Sequence, residues 1–217
     1  MNIYQLYLDL LEKYGTPSKE FWQMWCKRDK TRLQREEVVL GAVLTQRTSW
    51  KNVEKALDNL RRAQVLSIKG VYKIGAKKMK RLEELIRPSG FYKQKARRLF
   101  RLCRYIIEQH KSLDKFFKQD LAVCRAQLLG LSGVGPETAD SILLYAGDKP
   151  IFVIDEYTRR FVKKYNLSQN FSYGHLQDLF HKNLPRRVAI YQDFHAMIVL
   201  DGKKGIIRRQ KGNCSSV

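Results

Sequence analysis

The sequence predicts an all-α protein, and three observations carry that prediction. Apolar residues recur with the helical period in most segments; in residues 2–14, for example, Ile3, Leu6 and Leu10 fall on one face. The periodic segments are separated by short stretches rich in Gly, Pro and Ser, which punctuate a chain. No segment shows a convincing strand pattern, and neither a repeat nor a low-complexity tract is present. Helical segments joined by short loops are typical of an all-α fold.

In the N-terminal half, each predicted helix has a local start or stop signal. Gly15 ends the first helix, residues 27–35 form a charged connector, and Thr48 or Ser49 caps the helix that begins at Trp50. Residues 87–90, Arg-Pro-Ser-Gly, break the pattern. The predicted helices are 2–14, 20–26, 36–45, 50–62, 67–74, 77–86 and 94–109. The longest places one set of apolar residues inward: Ala96, Leu99, Cys103 and Ile106.

In the C-terminal half, the predicted helices are 126–131, one that opens at Pro136, 157–165, 174–181 and 187–200. Asp120 is predicted to cap the helix that leads into residue 131. The tail, residues 201–217, is basic and lacks periodicity. Its lysines and arginines either contact phosphates or are simply solvated.

The turn between the helices on either side of residues 132–135 is the clearest functional motif. Gly133 and Gly135 flank the aliphatic Val134, so the chain turns tightly and its amides point outward. Pro136 suits the first position of a helix, because its missing N–H had no partner there. Amides at a helix N-terminus attract phosphate. The pattern therefore predicts a helix–hairpin–helix that grips a nucleic-acid backbone without reading its sequence.

Composition supports a polyanionic partner. The chain has 217 residues, 44% of them apolar, so it can bury one good core or two small ones. Lys and Arg number 42 against 21 acids, a net charge of +21, which favours nucleic acid over a merely solvated surface. No segment has the length and apolarity of a membrane-spanning helix.

Four motifs together carry a family resemblance. Residues 133–140, Gly-Val-Gly-Pro-Glu-Thr-Ala-Asp, and residues 153–159, Val-Ile-Asp-Glu-Tyr-Thr-Arg, resemble the endonuclease III superfamily of DNA base-excision glycosylases, the helix–hairpin–helix–GPD proteins. Residues 41–53 and 87–97 resemble its 3-methyladenine DNA glycosylase III branch. The resemblance spans residues 38–204. A hairpin alone is a weak signal, whereas these motifs in this order are a strong one.

The resemblance implies a two-domain layout with the active cleft between the domains. Residues 28–149 would form a six-helix barrel that contains the hairpin. Residues 1–27 and 150–217 would form a discontinuous second helical domain that carries the catalytic aspartate. The implied partner is double-stranded DNA with a damaged base.

Asp155 is the predicted catalytic residue. Cleavage of an N-glycosidic bond passes through a transition state with positive charge on the sugar, which a nearby carboxylate stabilises while it orients or deprotonates the attacking water. The alternative is that Asp155 only caps the helix it precedes, and it could do both.

Glu137 departs from the family pattern. Bifunctional members hold a lysine there, whose amine attacks the sugar and leads to strand cleavage. Glutamate cannot form a Schiff base, which implies a monofunctional enzyme without that lyase chemistry. An acid in the first turn also suits the helix dipole, so the role of Glu137 in the base pocket stays open. Lys77, Lys78 or Lys149 could substitute only in principle, since no spacing supports them.

The predicted DNA-binding residues are those of the hairpin together with one upstream amide. By resemblance, Gln46 enters the duplex after the target base is flipped out, where its amide can hydrogen-bond the orphaned partner base. The alternative is an ordinary polar loop residue. The hairpin contributes Leu131, Gly133, Val134 and Gly135.

The tryptophans are the predicted base pocket. A methylated purine such as 3-methyladenine is cationic and leaves readily, so it needs aromatic faces more than an acid. By resemblance Trp50 stacks on the base. Trp22 and Trp25 lie where the family usually has Trp-Trp-Pro, but this chain reads Met24-Trp25-Cys26, and core packing is the alternative for both.

No metal or cluster is expected. Many relatives hold an iron–sulfur cluster on four cysteines, but the aligned positions here include Gly205, Gly212 and Ser215, and Cys214 alone cannot replace four thiolates. The four histidines have no metal-ligand spacing, and His195 is predicted to be a core histidine: His110, His175, His181 and His195. The cysteines match no disulfide or zinc pattern, which favours a reducing compartment.

The sequence therefore predicts a glycosylase that releases an alkylated purine, most plausibly 3-methyladenine, and leaves an abasic site. Two alternatives stay open: the same fold acting on an oxidised pyrimidine or a mismatch, and a non-catalytic DNA-binding module. A monomer is the default expectation. Since residues 1–14 carry acids and look neither like a signal nor like a transit peptide, we expect a cytoplasmic location with the nucleoid of a bacterium or archaeon.

Overall fold

The computed structural model describes residues 2–18 and 22–212, with side chains up to residue 203. Its helices are α1 (Ile3–Tyr14), α2 (Trp22–Trp25), α3 (Arg32–Leu44), α4 (Trp50–Arg62), α5 (Ile68–Lys77), α6 (Met79–Leu85), α7 (Tyr92–Tyr105), α8 (Leu113–Phe117), α9 (Leu121–Leu129), α10 (Pro136–Tyr145), α11 (Glu156–Lys164), α12 (Tyr173–Asn183) and α13 (Val188–Gly212). A 3₁₀ turn (Arg87–Ser89) and a π-helical turn (Ile106–His110) adjoin α7. Since no strand occurs in this part of the chain, the all-α prediction is confirmed.

The chain divides into two compact units, which we call the hairpin unit (Asp29–Asp148) and the terminal unit (Met1–Arg28 and Lys149–Val217). Whether these units correspond to the predicted domains stays a prediction.

The hairpin unit is organised around α3 and α7. Helix α3 buries nearly every residue from Val38 to Leu44, because neighbouring helices cover it on several sides. Helix α7 buries the apolar face that the sequence predicted, and Ile106 continues that face into the π-helical turn. These two faces supply a large part of the core that supports the hairpin.

Three predicted helix bounds were wrong, for identifiable reasons. Helix α3 begins at Arg32, inside the predicted connector, because Thr31 and Gln34 form a reciprocal capping box with bonds of 3.0 and 3.3 Å. Helix α9 begins at Leu121 and not at residue 126; Asp120 does occupy the predicted N-cap position, but without a side-chain cap bond. The predicted start at Glu20 lies outside the described residues.

The third correction concerns the tail. Helix α13 continues past Leu200 to Gly212, where the sequence showed no periodicity. Long-range contacts explain the continuation: Asp201 pairs with Lys13 at 2.7 Å and with Lys164 at 3.1 Å. A side chain at Gly202 would collide with the Tyr157 ring, which shows that α13 packs closely on α11 at this point. The tail residues Cys214 and Ser215 lie outside the described residues.

The terminal unit buries an aromatic core on α13. Phe194 contacts the rings of Phe152, Phe161 and Phe180 at 5.6–5.9 Å. Phe152, in the apolar run before α11, also stacks on Phe180 with ring centroids 4.2 Å apart. This core fixes the segment that ends at Asp155. In the described ranges, no helix combines the length and apolarity needed to cross a membrane.

Candidate active site and nucleic-acid interface

The hairpin between α9 and α10 has the predicted geometry. Gly133 adopts φ +90°, a left-handed conformation that favours glycine, and Gly135 precedes Pro136 in extended backbone as the N-cap of α10. Val134 is buried, and its N–H donates to the carbonyl of Leu131 at 3.0 Å. The N-cap position of α10 makes no side-chain cap bond, because Gly135 has no side chain.

An ion pair between the half-buried Arg125 and the buried Asp140 ties the two helices of the hairpin together. The Arg125 guanidinium donates to both carboxylate oxygens of Asp140, at 2.7 and 3.1 Å, and Asp140 is fully buried. Removing one partner of such a pair leaves an uncompensated buried charge. This contact therefore fixes the angle at which α9 and α10 present the turn.

Gln46 is joined to the hairpin by its own side chain. Its Nε2 donates to the Gly133 carbonyl at 3.0 Å and to the Thr138 hydroxyl at 2.9 Å, while Arg98 donates to its Oε1. The structure thus brings Gln46 and the predicted hairpin residues together. In this state the amide is engaged within the protein, and its entry into a duplex stays a prediction.

A cavity of about 330 Å³ lies beside this network, within the hairpin unit. Its lining includes Gln46, Phe91, Lys95, Arg98 and Glu137. Glu137 is exposed at this cavity, in the first turn of α10. The sequence analysis did not single out the other three. Phe91 is 60% exposed and has φ +47°, an unusual backbone conformation for an aromatic residue.

Lys95 is the most unusual of the missed residues. It is buried, and its ammonium donates to the carbonyls of Leu44 at 2.8 Å and Ser89 at 2.6 Å. Burial, with a smaller contribution from Arg98, lowers the pKa of Lys95 to about 8. A signal existed in the sequence, because Lys95 lies one helical turn before the inward Leu99 and so shares its face.

Asp155, in the terminal unit, is both a helix cap and one half of an ion pair. Its Oδ1 accepts from the Thr158 amide at 2.7 Å, and its Oδ2 lies 3.5 Å from Nε2 of His195. Burial raises the pKa of this carboxyl, but His195 and the hydrogen bonds from Thr158 outweigh burial, so the pKa is lowered from its ordinary value. The half-buried carboxyl is therefore an anion, able to stabilise positive charge or accept a proton.

The predicted tryptophans fall in different surroundings. Trp22 and Trp25 are buried in the terminal unit and meet edge to face at 6.2 Å. Trp22 also contacts the His195 ring at 6.1 Å. Trp50 is half-buried at the start of α4 in the hairpin unit. The structure therefore connects Trp22 with Asp155 through His195, a link that the sequence did not reveal.

The described cysteines do not fit a four-thiolate cluster. Cys26, Cys103 and Cys124 are buried thiols, and burial raises the pKa of Cys103, which disfavours a thiolate. Cys26 donates to the Gln192 carbonyl and Cys124 to the Phe116 carbonyl. Within residues 2–18 and 22–203, no group of His, Cys, Asp or Glu is arranged to hold a metal ion.

Comparison with known proteins gives consistent results. The family model described as HhH-GPD superfamily base excision DNA repair protein matches residues 40–186. The candidate DNA repair glycosylase MJ1434 of Methanocaldococcus jannaschii is 41% identical over 217 residues, covering 99% of this chain and 92% of that protein.

Solved structures give the same result for the fold. The H. pylori 3-methyladenine DNA glycosylase MagIII, crystallised with 1,N6-ethenoadenine, matches with a TM-score of 0.78 and 30% identity, covering 94% of this chain and 99% of that one. A trapped covalent intermediate of endonuclease III with DNA matches with a TM-score of 0.70 and 18% identity, covering 91% and 83%.

Proposed function

This chain belongs to the HhH-GPD superfamily of base excision DNA repair proteins, and we propose that it is a monofunctional glycosylase for alkylated purines. It would hydrolyse the N-glycosidic bond of a 3-methyladenine-type lesion in duplex DNA and leave an abasic site. Like its relatives, the chain is a DNA glycosylase; the lesion and the absence of lyase chemistry are the proposal.

The observation that carries the proposal is the half-buried, ionised carboxylate of Asp155, whose side chain is 16% exposed. An anion held by Thr158 and His195 is oriented before any substrate arrives. As the glycosidic bond breaks, positive charge grows on the sugar, and a preorganised carboxylate stabilises that charge without having to reorient. The same carboxylate can accept a proton from the attacking water.

The carboxylate at position 137 of the hairpin supports a hydrolytic reaction. Glu137 supplies a carboxylate where bifunctional relatives supply an amine. The cavity does contain the amine of Lys95, whose pKa of about 8 lies within reach of neutral pH. However, its ammonium donates to two backbone carbonyls and is buried, which supports a structural role.

The relatives and the aromatic residues support an alkylated purine. MagIII is named for 3-methyladenine and has 30% identity to this chain over nearly its whole length. A methylated purine is cationic and leaves without prior protonation, so an aromatic face such as Trp50 together with one carboxylate would suffice. The proposal includes no iron–sulfur cluster, a monomeric protein and a cytoplasmic location.

The test is base release from duplex DNA that has been methylated throughout by a simple alkylating agent. Freed bases are identified by chromatography, and a parallel gel detects strand breaks with and without alkali. We expect free methylated purine, with breaks only after alkali. Binding of the DNA without any base release would contradict the proposal and favour another lesion or a non-catalytic module.

Borohydride trapping distinguishes a monofunctional glycosylase from one that also has lyase activity. A monofunctional enzyme forms no Schiff base, so no covalent protein–DNA adduct should appear. An adduct together with breaks before alkali would overturn the monofunctional assignment. If that adduct disappeared in Lys95→Met but persisted in Lys93→Met, on the exposed side of α7, the reactive amine would be that of Lys95.

A further inference from the structure

We infer that His195 is a positioning residue that holds the carboxylate of Asp155 for the reaction, and that Trp22 and Phe152 form the seat that fixes His195. This inference rests on the proposed function, because it assumes that Asp155 acts on the substrate. It assigns Trp22 to the support of Asp155, whereas the sequence suggested stacking on the damaged base.

The first step of the argument is that both oxygens of Asp155 are oriented. Oδ1 accepts from the Thr158 amide at 2.7 Å, which places it at the N-cap of α11. Oδ2 lies 3.5 Å from Nε2 of His195, an ion-pair distance rather than a short hydrogen bond. With one oxygen bound to backbone and the other opposite an imidazole, the carboxylate has little freedom to rotate.

The second step is that the His195 ring cannot move away. It is 5% exposed on α13, and two aromatic rings meet it nearly perpendicularly: Trp22 at 6.1 Å and Phe152 at 6.2 Å. Trp22 is in turn packed on Trp25. Edge-to-face contacts of this kind are favourable and geometrically specific.

Phe152 is itself fixed at both backbone groups. Its N–H donates to Nε2 of His181 at 2.9 Å, and its carbonyl accepts from the Gln177 side chain at 2.7 Å. The seat is therefore built on hydrogen-bonded backbone from α12 as well as on ring packing. A seat of this kind is the supporting shell that a precise reactive group needs.

The third step is electrostatic. A protonated His195 favours the ionised form of Asp155, while burial favours the neutral acid. The other carboxylate near this part of α13, Asp193, is already paired with the guanidinium of Arg28 at 2.7 Å. Asp155 is thus the carboxylate on which His195 acts. The hydrogen bonds from Thr158 also oppose burial, and they would remain without His195.

The experiment compares His195→Gln and His195→Leu with the wild type in single-turnover excision between pH 5 and pH 9, at saturating enzyme. Glutamine keeps a neutral N–H donor where leucine keeps none. We expect the excision rate at pH 7 to fall roughly 30-fold in His195→Leu and about 3- to 5-fold in His195→Gln. DNA affinity should be unchanged in both variants. His175→Gln, at an exposed histidine of α12, is the matched control and should behave as wild type.

The pH profile separates positioning from mere stability. In His195→Gln the acidic limb of the rate profile should move to higher pH by about one unit, because the carboxyl of Asp155 loses the interactions with His195 that lower its pKa. A variant that was only less stable would lose amplitude without moving this limb. Wild-type rates and an unmoved limb in His195→Gln would overturn the inference.

A second readout does not depend on activity. The carboxyl carbon of Asp155, assigned by its loss in Asp155→Asn, is titrated by carbon-13 NMR in wild type and in His195→Gln. We expect the titration midpoint to rise in the variant, and equal midpoints would overturn the inference. If the wild type released no base, the proposed function would fail, yet this titration would still decide whether His195 acts on Asp155. Should His195→Leu not fold, His195→Gln alone carries both measurements.

Discussion

Helices α10 and α11 begin in opposite ways. Helix α10 begins after Gly135, which has no side chain and so makes no side-chain cap bond. Helix α11 begins after Asp155, whose carboxylate accepts from the Thr158 amide at 2.7 Å. Both starts would attract anions by backbone alone, because each is the positive end of a helix dipole.

The difference lies in the cap residue. At α10 the cap position brings no anion of its own, as expected of a helix–hairpin–helix that holds a DNA backbone. At α11 the protein supplies its own anion, and that anion is the group proposed to act on the sugar. A cap residue can thus decide whether a helix start binds a ligand or holds a reactive carboxylate.

The largest expected effect comes from removing the charge at α11 while keeping its cap. Asparagine also caps helices well, so Asp155→Asn should fold normally and bind DNA. Excision should fall by at least about 10²–10³-fold, the loss seen when a preorganised electrostatic group is removed. Single-turnover excision and fluorescence anisotropy on the same lesion duplex measure both. Retained excision would remove Asp155 from the mechanism.

A smaller effect, on DNA affinity, is expected when α10 is given an aspartate cap like that of α11. A Cβ at Gly135 meets nothing within 4 Å, and its backbone is extended with φ −88°, so Gly135→Asp should be tolerated. The new carboxylate would occupy the amides and repel phosphate. DNA affinity should fall by about tenfold at low salt and less at high salt, while stability stays level or rises by about 0.5 kcal/mol.

Gly135→Asn is the matched control for that change. It introduces a neutral cap of similar size, so it should weaken DNA binding by no more than about threefold. Equal losses for the two variants would mean that filling the position, rather than its charge, is what matters.

The smallest effect concerns a carboxylate that serves only the fold. Asp201 accepts from Lys13 and Tyr14 at 2.7 Å and from Lys164 at 3.1 Å. Burial opposes ionisation, but these partners lower the pKa of Asp201 to about 2. Because the folded pKa lies below the unfolded value, the stabilisation is present above about pH 4 and is lost as the pH falls toward 2.

Asp201→Asn should therefore cost about 1 kcal/mol of unfolding free energy at pH 7, a value kept small because both lysines are more than half exposed. Urea unfolding at pH 7 and pH 3 should show a smaller difference at pH 3. Excision should stay within about twofold of wild type. A loss of excision comparable to that of Asp155→Asn would contradict the separation of the two carboxylates.

Local chemistry made the hairpin predictable. The left-handed Gly133, the first-turn Pro136 and the inward face of α7 each follow from neighbouring residues. The true start of α3 was also readable, since Thr31 and Gln34 have capping-box spacing. The domain layout and the roles of Trp50 and Gln46 stay predictions.

Contacts between distant segments could not be predicted. His195 was correctly expected to be buried, but its pairing with Asp155 depends on how α13 packs against the start of α11. The extension of α13 depends on the partners of Asp201, which come from α1 and α11. Helical periodicity records which face is buried and carries no information about which segment covers it.

One helix, α13, carries both His195 and Asp201, and this fixes the number of residues between them. In an α-helix each residue advances about 1.5 Å and turns about 100°. Inserting or deleting one residue between positions 195 and 201 would therefore swing one of these side chains away from its partner. Any homologue that keeps both contacts should preserve the interval between them, while the composition of the intervening residues can drift. The length of that interval therefore distinguishes homologues that can keep both contacts from those that cannot, whatever their overall sequence identity.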